Sequence, residues 1–341
     1  MKIREILITG LLGMVAGFLP TKSLANDKAT FCASWIIYGQ HAALVAGLDR
    51  GTFKAQGLDV TLARGHGSGD TFKRVGTGDC DFGDAGTGPA ALGRVKGIKA
   101  KLIAMWMPRF QEAVFYFAES GIRAMKDLEG KRVSGGPKAS SNMLMFPVLA
   151  RANGIDLGKV KLIYMEPGAL PSSLGVGRLD VALAFHTNLP RFQKAAEEAR
   201  KKLVVQLWAD HGLDLYANGV IASDETIAKR KDLTQRFLRA FYQAHIWGYR
   251  NREASVEIFV KKYPEQNPKA ALQALDLLFF HFFDTHTTQE GFGRMNPEKM
   301  AGTVQITLET SGVKEKLDPS ELYTNEFVDR LPREDLFFFQ R

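Results

Sequence analysis

Four short turns carry the residues best suited to hold a small molecule: Gly67-Ser68-Gly69-Asp70, Thr87-Gly88-Pro89, Ser140-Ser141 and Pro167-Gly168. Each sets small or hydroxylated residues where a strand-like run gives way to a helix-like one. At such a junction the first backbone N–H groups of the helix lack intrahelical partners, and the helix dipole adds positive potential. Those donors, together with Ser and Thr hydroxyls, can hold a polar or anionic group with no catalytic side chain. Thr87 and Ser140 suit N-cap positions, and Pro89 suits an early helical one. Capping alone would explain any single turn. Small residues at all four predict a shared pocket built from Ser68, Gly69, Thr87, Ser140, Ser141 and Gly168.

Aromatic residues gather beside the same junctions. Trp35 and Tyr38 follow the first predicted strand, with Gly39-Gln40-His41 next to them. Trp106 and Phe110 follow the fourth, Phe185 and His186 follow a later one, and Trp208 and Tyr216 flank the last. Aromatic faces stack on planar rings and line many ligand pockets. Trp35, Tyr38, His41, Phe110, Phe185, His186 and Tyr216 are the candidates of this kind. Arg109 and Lys138 are weaker candidates to meet an anion.

Motifs of catalysis are missing. Gly65-x-Gly67-x-Gly69 follows the second strand and does not have the glycine spacing of a dinucleotide loop. Neither a phosphate-binding G-x-x-x-x-G-K-[ST] loop nor a G-x-S-x-G elbow occurs. His281 and His286, five apart among Phe279, Phe280, Phe282 and Phe283, read as a packed helix rather than a metal site. Asp210, His211 and Asp214 read as a polar loop. No cofactor or metal is expected.

A scaffold must bring these distant turns together. Residues 29–34, 58–63, 81–85 and 101–105 are predicted strands, with helices between them. The pattern then restarts: 113–118, 131–134, 160–165, 179–184, 203–208 and 216–222 are strands, and helices follow Ser141, Gly168 and His186. Residues 223–263, 268–283 and 297–311 are helical. Repeated strand–helix units predict an α/β protein with mainly parallel sheets covered by helices. Ligands bind such sheets beyond the carboxyl ends of the strands, so two units face to face would enclose a cleft. With no Pro- or Ser-rich linker, the units are expected to be lobes joined by crossing strands. One lobe comprises 26–112 plus 222–341, and the other 113–221.

The 341 residues are 45% hydrophobic and 24% charged, which suits globular lobes and excludes disorder. The net charge of +8 is scattered among acids, without a basic run interleaved with aromatics, so no nucleic acid is expected as a partner. Lys2 and Arg4, an apolar stretch over 6–19 and Ser23-Leu24-Ala25 have the layout of a signal peptide spanning 1–25. The mature chain is thus expected to be periplasmic, soluble and monomeric. Export permits a bridge between the two cysteines, Cys32 and Cys80, but two small buried thiols are the favoured reading.

Several blocks together resemble the extracytoplasmic solute-binding proteins for nitrate, sulfonates, taurine and thiamine-pyrimidine precursors. Gly51-Thr52-Phe53-Lys54-Ala55-Gln56-Gly57-Leu58-Asp59-Val60 is similar to that family's G-x-F-K-x-x-G-L-D-V turn. Gly78-Asp79-Cys80-Asp81-Phe82-Gly83, Leu128-Glu129-Gly130-Lys131-Arg132-Val133 and Gly177-Arg178-Leu179-Asp180-Val181 follow in the family's order. Tyr323-Thr324-Asn325-Glu326-Phe327 looks like a C-terminal signature of the pyrimidine branch. Trp35 and His41 match a W-x5-H element of that branch's pocket, although Ser34 stands where Asn is frequent. The resemblance implies a periplasmic-binding-protein-like fold of type II that closes on a planar or anionic ligand. It also implies delivery to an ABC permease, with no chemistry performed. The alternatives on this fold are an exported enzyme or the sensing partner of a membrane receptor. The related cytosolic pyrimidine synthases carry a cysteine-rich segment in their second half, and this chain has no cysteine after Cys80.

Overall fold

The computed structural model describes residues 26–338. The expected signal peptide lies outside them, as does Phe339. The chain opens with β1 (Asp27–Cys32), α1 (Ala42–Asp49), β2 (Leu58–Ala63), α2 (Ser68–Gly76), β3 (Phe82–Gly86), α3 (Thr87–Val95) and β4 (Ala100–Met105). A second series follows: β5 (Glu112–Phe117), β6 (Arg132–Ser134), α4 (Ser141–Ala152), β7 (Lys161–Leu162), α5 (Leu170–Gly175), β8 (Val181–Phe185), α6 (Leu189–Ala199) and β9 (Leu203–Leu207). The strand β10 (Asn218–Ser223) leads into six helices: α7 (Asp224–Lys229), α8 (Lys231–Arg250), α9 (Arg252–Lys262), α10 (Pro268–Phe282), α11 (Thr285–Glu290) and α12 (Pro297–Thr310).

These strands form two five-stranded sheets, ordered β2-β1-β3-β10-β4 and β7-β6-β8-β5-β9. In each, four strands run one way and one is reversed. The reversed strands, β10 and β5, pair antiparallel with both neighbours. They are the strands that follow the two crossings, so the chain changes lobe over 106–111 and again over 208–217. The second crossing therefore precedes the expected boundary: residues 218–221 lie in the first sheet, opposite Gly86 to Gly83, not in the second lobe.

The tail packs back on the first sheet. Helix α8 buries Leu233, Phe237, Leu238, Phe241, Ala244 and His245 at helical spacing, and Phe237 stacks on Phe82 at 4.0 Å. Near the C-terminus, Phe338 packs among Phe279, Phe282 and Phe292.

Cys32 and Cys80 form a disulfide, which overturns the reading of two thiols. Strands β1 and β3 are direct parallel neighbours with Cys32 opposite Gly83, and this brings the Cα atoms of the two cysteines to 6.0 Å. That distance lies within the range a bridge requires. Among the described residues no helix is long and apolar enough to cross a membrane.

Candidate functional site

The carboxyl ends of β1, β3, β6 and β8, and the starts of β5 and β10, meet at one seam between the lobes. Two glycines permit the approach. At Gly67, with φ of 135°, an added Cβ would lie 2.8 Å from Ser140 Cα, and next to it Gly69 N donates to Ala139 O at 3.0 Å. At Gly136, with φ of 96°, a Cβ would lie 2.7 Å from Trp35 Cη2. Trp35 thus reaches from the end of the first strand over a turn of the second lobe, and its ring packs 5.9 Å from Phe185. Tyr38 Oη shares a 2.6 Å hydrogen bond with Thr187 Oγ1 and accepts one from Asn188 Nδ2 at 3.0 Å. Thr187 Oγ1 also donates to Gln40 Oε1 at 2.8 Å.

Two buried carboxyl groups flank this seam. On the first lobe, Asp84 receives the backbone N–H and the hydroxyl of Ser34 at 2.9 and 2.5 Å, and Asn218 Nδ2 at 2.8 Å. Burial raises the Asp84 pKa, and these hydrogen bonds oppose the rise. Gln111, on the first crossing, donates from Nε2 to Asn218 Oδ1 at 3.3 Å and leaves its Oε1 buried without a protein partner. On the second lobe, Ser141 Oγ donates to Glu112 Oε1 at 2.7 Å, while Glu112 Oε2 has none. Burial pushes the Glu112 carboxyl up to about 7.

Neighbouring polar atoms are orphaned in the same way. Asn142, next to Ser141 on α4, is fully buried with neither amide atom bonded. Ala113 pairs with Leu207, so Trp208 comes alongside Glu112, and its Nε1 is also unpartnered. A buried polar group without a partner costs about 1–3 kcal/mol. Gln111, Glu112, Asn142 and Trp208 therefore each keep at least one buried polar atom that the fold itself does not use. Together they offer the carbonyl acceptors of Gln111 and Asn142, the free side of the Glu112 carboxyl, an indole N–H and an amide N–H.

The structure sorts the candidates from the sequence. Trp35, Tyr38, Gly69, Phe185 and His186 are at the seam. Ser141 holds Glu112, and Ser140 caps α4 by accepting from Met143 N while donating to Gly135 O. Ser68 accepts from Gly86 N, and Phe110 packs on Trp208. Four candidates are spent elsewhere. Thr87 donates both N–H and hydroxyl to Ala217 O, at the end of the second crossing. His41 is enclosed in the core beside Trp106, and burial brings its pKa down to about 4. Tyr216 accepts from Asn296 N in the packing of α12. Gly168 is exposed and its carbonyl accepts from Arg191. Arg109 and Lys138 are exposed too, the guanidinium of Arg109 lying 4.1 Å over Phe280. Asp84, Gln111, Glu112, Asn142 and Asn218 were not singled out from the sequence. The available signal was polarity inside apolar strands: Asp84 within Phe82–Gly86, and Glu112 heading Ala113-Val114-Phe115.

This is the two-lobed architecture of solute-binding proteins. The alkanesulfonate-binding protein SsuA from Xanthomonas axonopodis pv. citri superposes with a TM-score of 0.67 at 16% identity, over 88% of this chain and 98% of that one. The chain belongs to the family described as NMT1/THI5 like, which matches residues 39–254. A Brucella abortus protein named as a putative binding protein is 25% identical over 73% of this chain and 76% of its own length. A yeast 4-amino-5-hydroxymethyl-2-methylpyrimidine phosphate synthase is 22% identical over 65% of this chain and 67% of its own.

Proposed function

We propose that the protein is the periplasmic, monomeric solute-binding component of an ABC importer, and that it captures a small planar molecule between its lobes and hands it unchanged to a membrane permease. The observation that carries this reading is the orphaned polar group of Gln111, Glu112, Asn142 and Trp208, buried where the lobes meet. The cargo that fits is neutral or cationic and bears N–H donors, as an aminopyrimidine does. A sulfonate or carboxylate would share the seam with Asp84 and Glu112, while Arg109 and Lys138 stay outside. Trp35 and Phe185 supply faces for a flat ring. Signal-peptide cleavage near Ala25 and lobes of 26–112 with the tail, and of about 113–217, complete the proposal.

Thermal unfolding of the mature chain against aminopyrimidines, thiamine, flavins, alkanesulfonates, nitrate and aromatic acids tests it. A ligand that binds only the native state raises the midpoint by mass action. The expected result is a shift with a donor-bearing heterocycle that is recovered unchanged. Consumption of the compound would make the protein an enzyme on this fold, and a shift confined to sulfonates or nitrate would overturn the cargo.

A further inference from the structure

The turn at 186–188 touches the opposite lobe with each of its three side chains. Thr187 and Asn188 bond Gln40 and Tyr38. The third contact is between two imidazoles: His186 Nδ1 lies 3.2 Å from Nε2 of His281, which sits in the last turn of α10. The rings meet edge to face at 5.4 Å. His281 is buried and its Nδ1 has no protein partner, while His186 is half-buried. We propose that His186 and His281 form an acid-operated latch that holds the lobes together at neutral pH and parts them as the pH falls.

The geometry dictates the direction. At 3.2 Å the two nitrogens share one proton, donated by one neutral ring to the other. The closed seam accepts at most one more. Two imidazolium ions at that distance would repel across a site with little water. Parted and hydrated, both rings take up protons below about pH 6.5. Opening therefore absorbs at least one proton in acid.

The charged groups facing the pair are few. Arg109, over the Phe280 ring, adds to the repulsion, while Asp210 opposes it by favouring protonated His186. Arg191 of α6 is turned towards Asn188 and Gly168, and His41 in the 39–41 turn is held neutral by burial. Burial lowers His186 and brings His281 down to about 3. Both closed-state values lie below the free value. The closed form is thus undisturbed above about pH 6.5 and is penalised progressively below it. Each proton absorbed favours the open form by roughly tenfold per pH unit.

The test needs no cargo, so it stands apart from the choice of ligand. Dyes placed on the outer faces of the two lobes, or small-angle scattering, would follow lobe separation between pH 7.5 and 5. The wild type should open on acidification. His186→Gln should open less steeply, since only His281 is left to take up a proton, and the double variant His186→Gln with His281→Gln should lose the response while circular dichroism shows both folded. Glutamine keeps a hydrogen bond but does not titrate in this range. If the double variant fails to fold, His186→Gln decides alone, since that residue is half-buried. A wild type that does not move, a His186→Gln variant that opens as steeply as the wild type, or a folded double variant that opens over the same pH range would overturn the latch.

Discussion

Ser141 Oγ donates a 2.7 Å hydrogen bond to Glu112 Oε1, and the second oxygen of that carboxyl is buried without a protein partner. One hydroxyl does not offset the burial of a full negative charge, so the group holds its proton up to about pH 7. Its folded-state value is above the unfolded one. The stabilising contribution of the neutral acid is therefore fully present below about pH 4.5 and is lost as pH rises through 7. We expect Glu112→Gln to match the wild type near pH 4 and to exceed it near pH 8, by up to about 3 kcal/mol. Urea unfolding at the two pH values reads this directly. An unchanged difference would mean that Glu112 is not buried as an acid.

Asn142 gives a sharper separation of stability from binding. Both of its amide atoms are buried and unpaired, so the side chain costs the fold more than an apolar one of similar size. Asn142→Leu is expected to raise unfolding stability by about 1 kcal/mol. It should also weaken cargo binding at least tenfold, since the lost donor and acceptor are those left for a ligand. Calorimetric titration beside thermal unfolding measures both. Loss of stability with intact binding would remove Asn142 from the site.

Much of the framework was legible because its signals are local. The sequence places β2 at 58–63 and the structure agrees at both ends. The helices α10 and α12 begin at Pro268 and Pro297 as the sequence predicts, and the structure adds that Asn267 and Asn296 cap them, each accepting from the backbone three residues on. Strand β7 shrinks from six predicted residues to Lys161–Leu162, because its one neighbour β6 is only three residues long and pairs with it through Arg132 and Val133. The polar centre of the site could not be read in this way. Asp84 takes its meaning from Ser34 and Asn218, 50 and 134 residues away, and neither spacing leaves a periodic trace. The turns behave differently again: Ser140 does cap α4, whereas Gly86 takes the N-cap position of α3 and Thr87 follows it as the first helical residue, its hydroxyl donating to Ala217 O, so both hydroxyls are consumed before a ligand could meet them.

The Cys32–Cys80 bridge closes a separation of 48 residues and ties β1 to the segment before β3. On the chain-entropy view a loop of that size is worth about 4 kcal/mol against the unfolded state. Cys32→Ala with Cys80→Ala should lower the unfolding free energy by about 2–4 kcal/mol and leave cargo affinity within a few-fold, because neither residue faces the seam. Denaturant titration of the double variant, compared with the non-reduced wild type, checks this. Equal stability of bridged and unbridged chains would mean that the bond is not formed in solution.

Trp35 offers the most direct test of the cleft. Its ring is buried by Phe185 and by the turn at Gly136, both in the second lobe, so the side chain belongs to the contact between lobes as much as to its own strand. Truncation removes a large aromatic anchor, and such a loss in a buried core costs about 3–5 kcal/mol. Trp35→Ala should therefore unfold earlier yet remain folded, since the core beneath α8, built on Phe31, Phe82 and Phe237, does not depend on it. The cargo identified by thermal screening should bind at least about thirtyfold more weakly, the equivalent of about 2 kcal/mol. Trp35→Phe should fall between the two, because it keeps a flat apolar face and loses the second ring. Titration calorimetry on the three folded proteins at one pH distinguishes a pocket wall from a structural plug. If Trp35→Ala lost stability but kept its affinity, the ring would only fill the seam, and a planar cargo would have no claim on it.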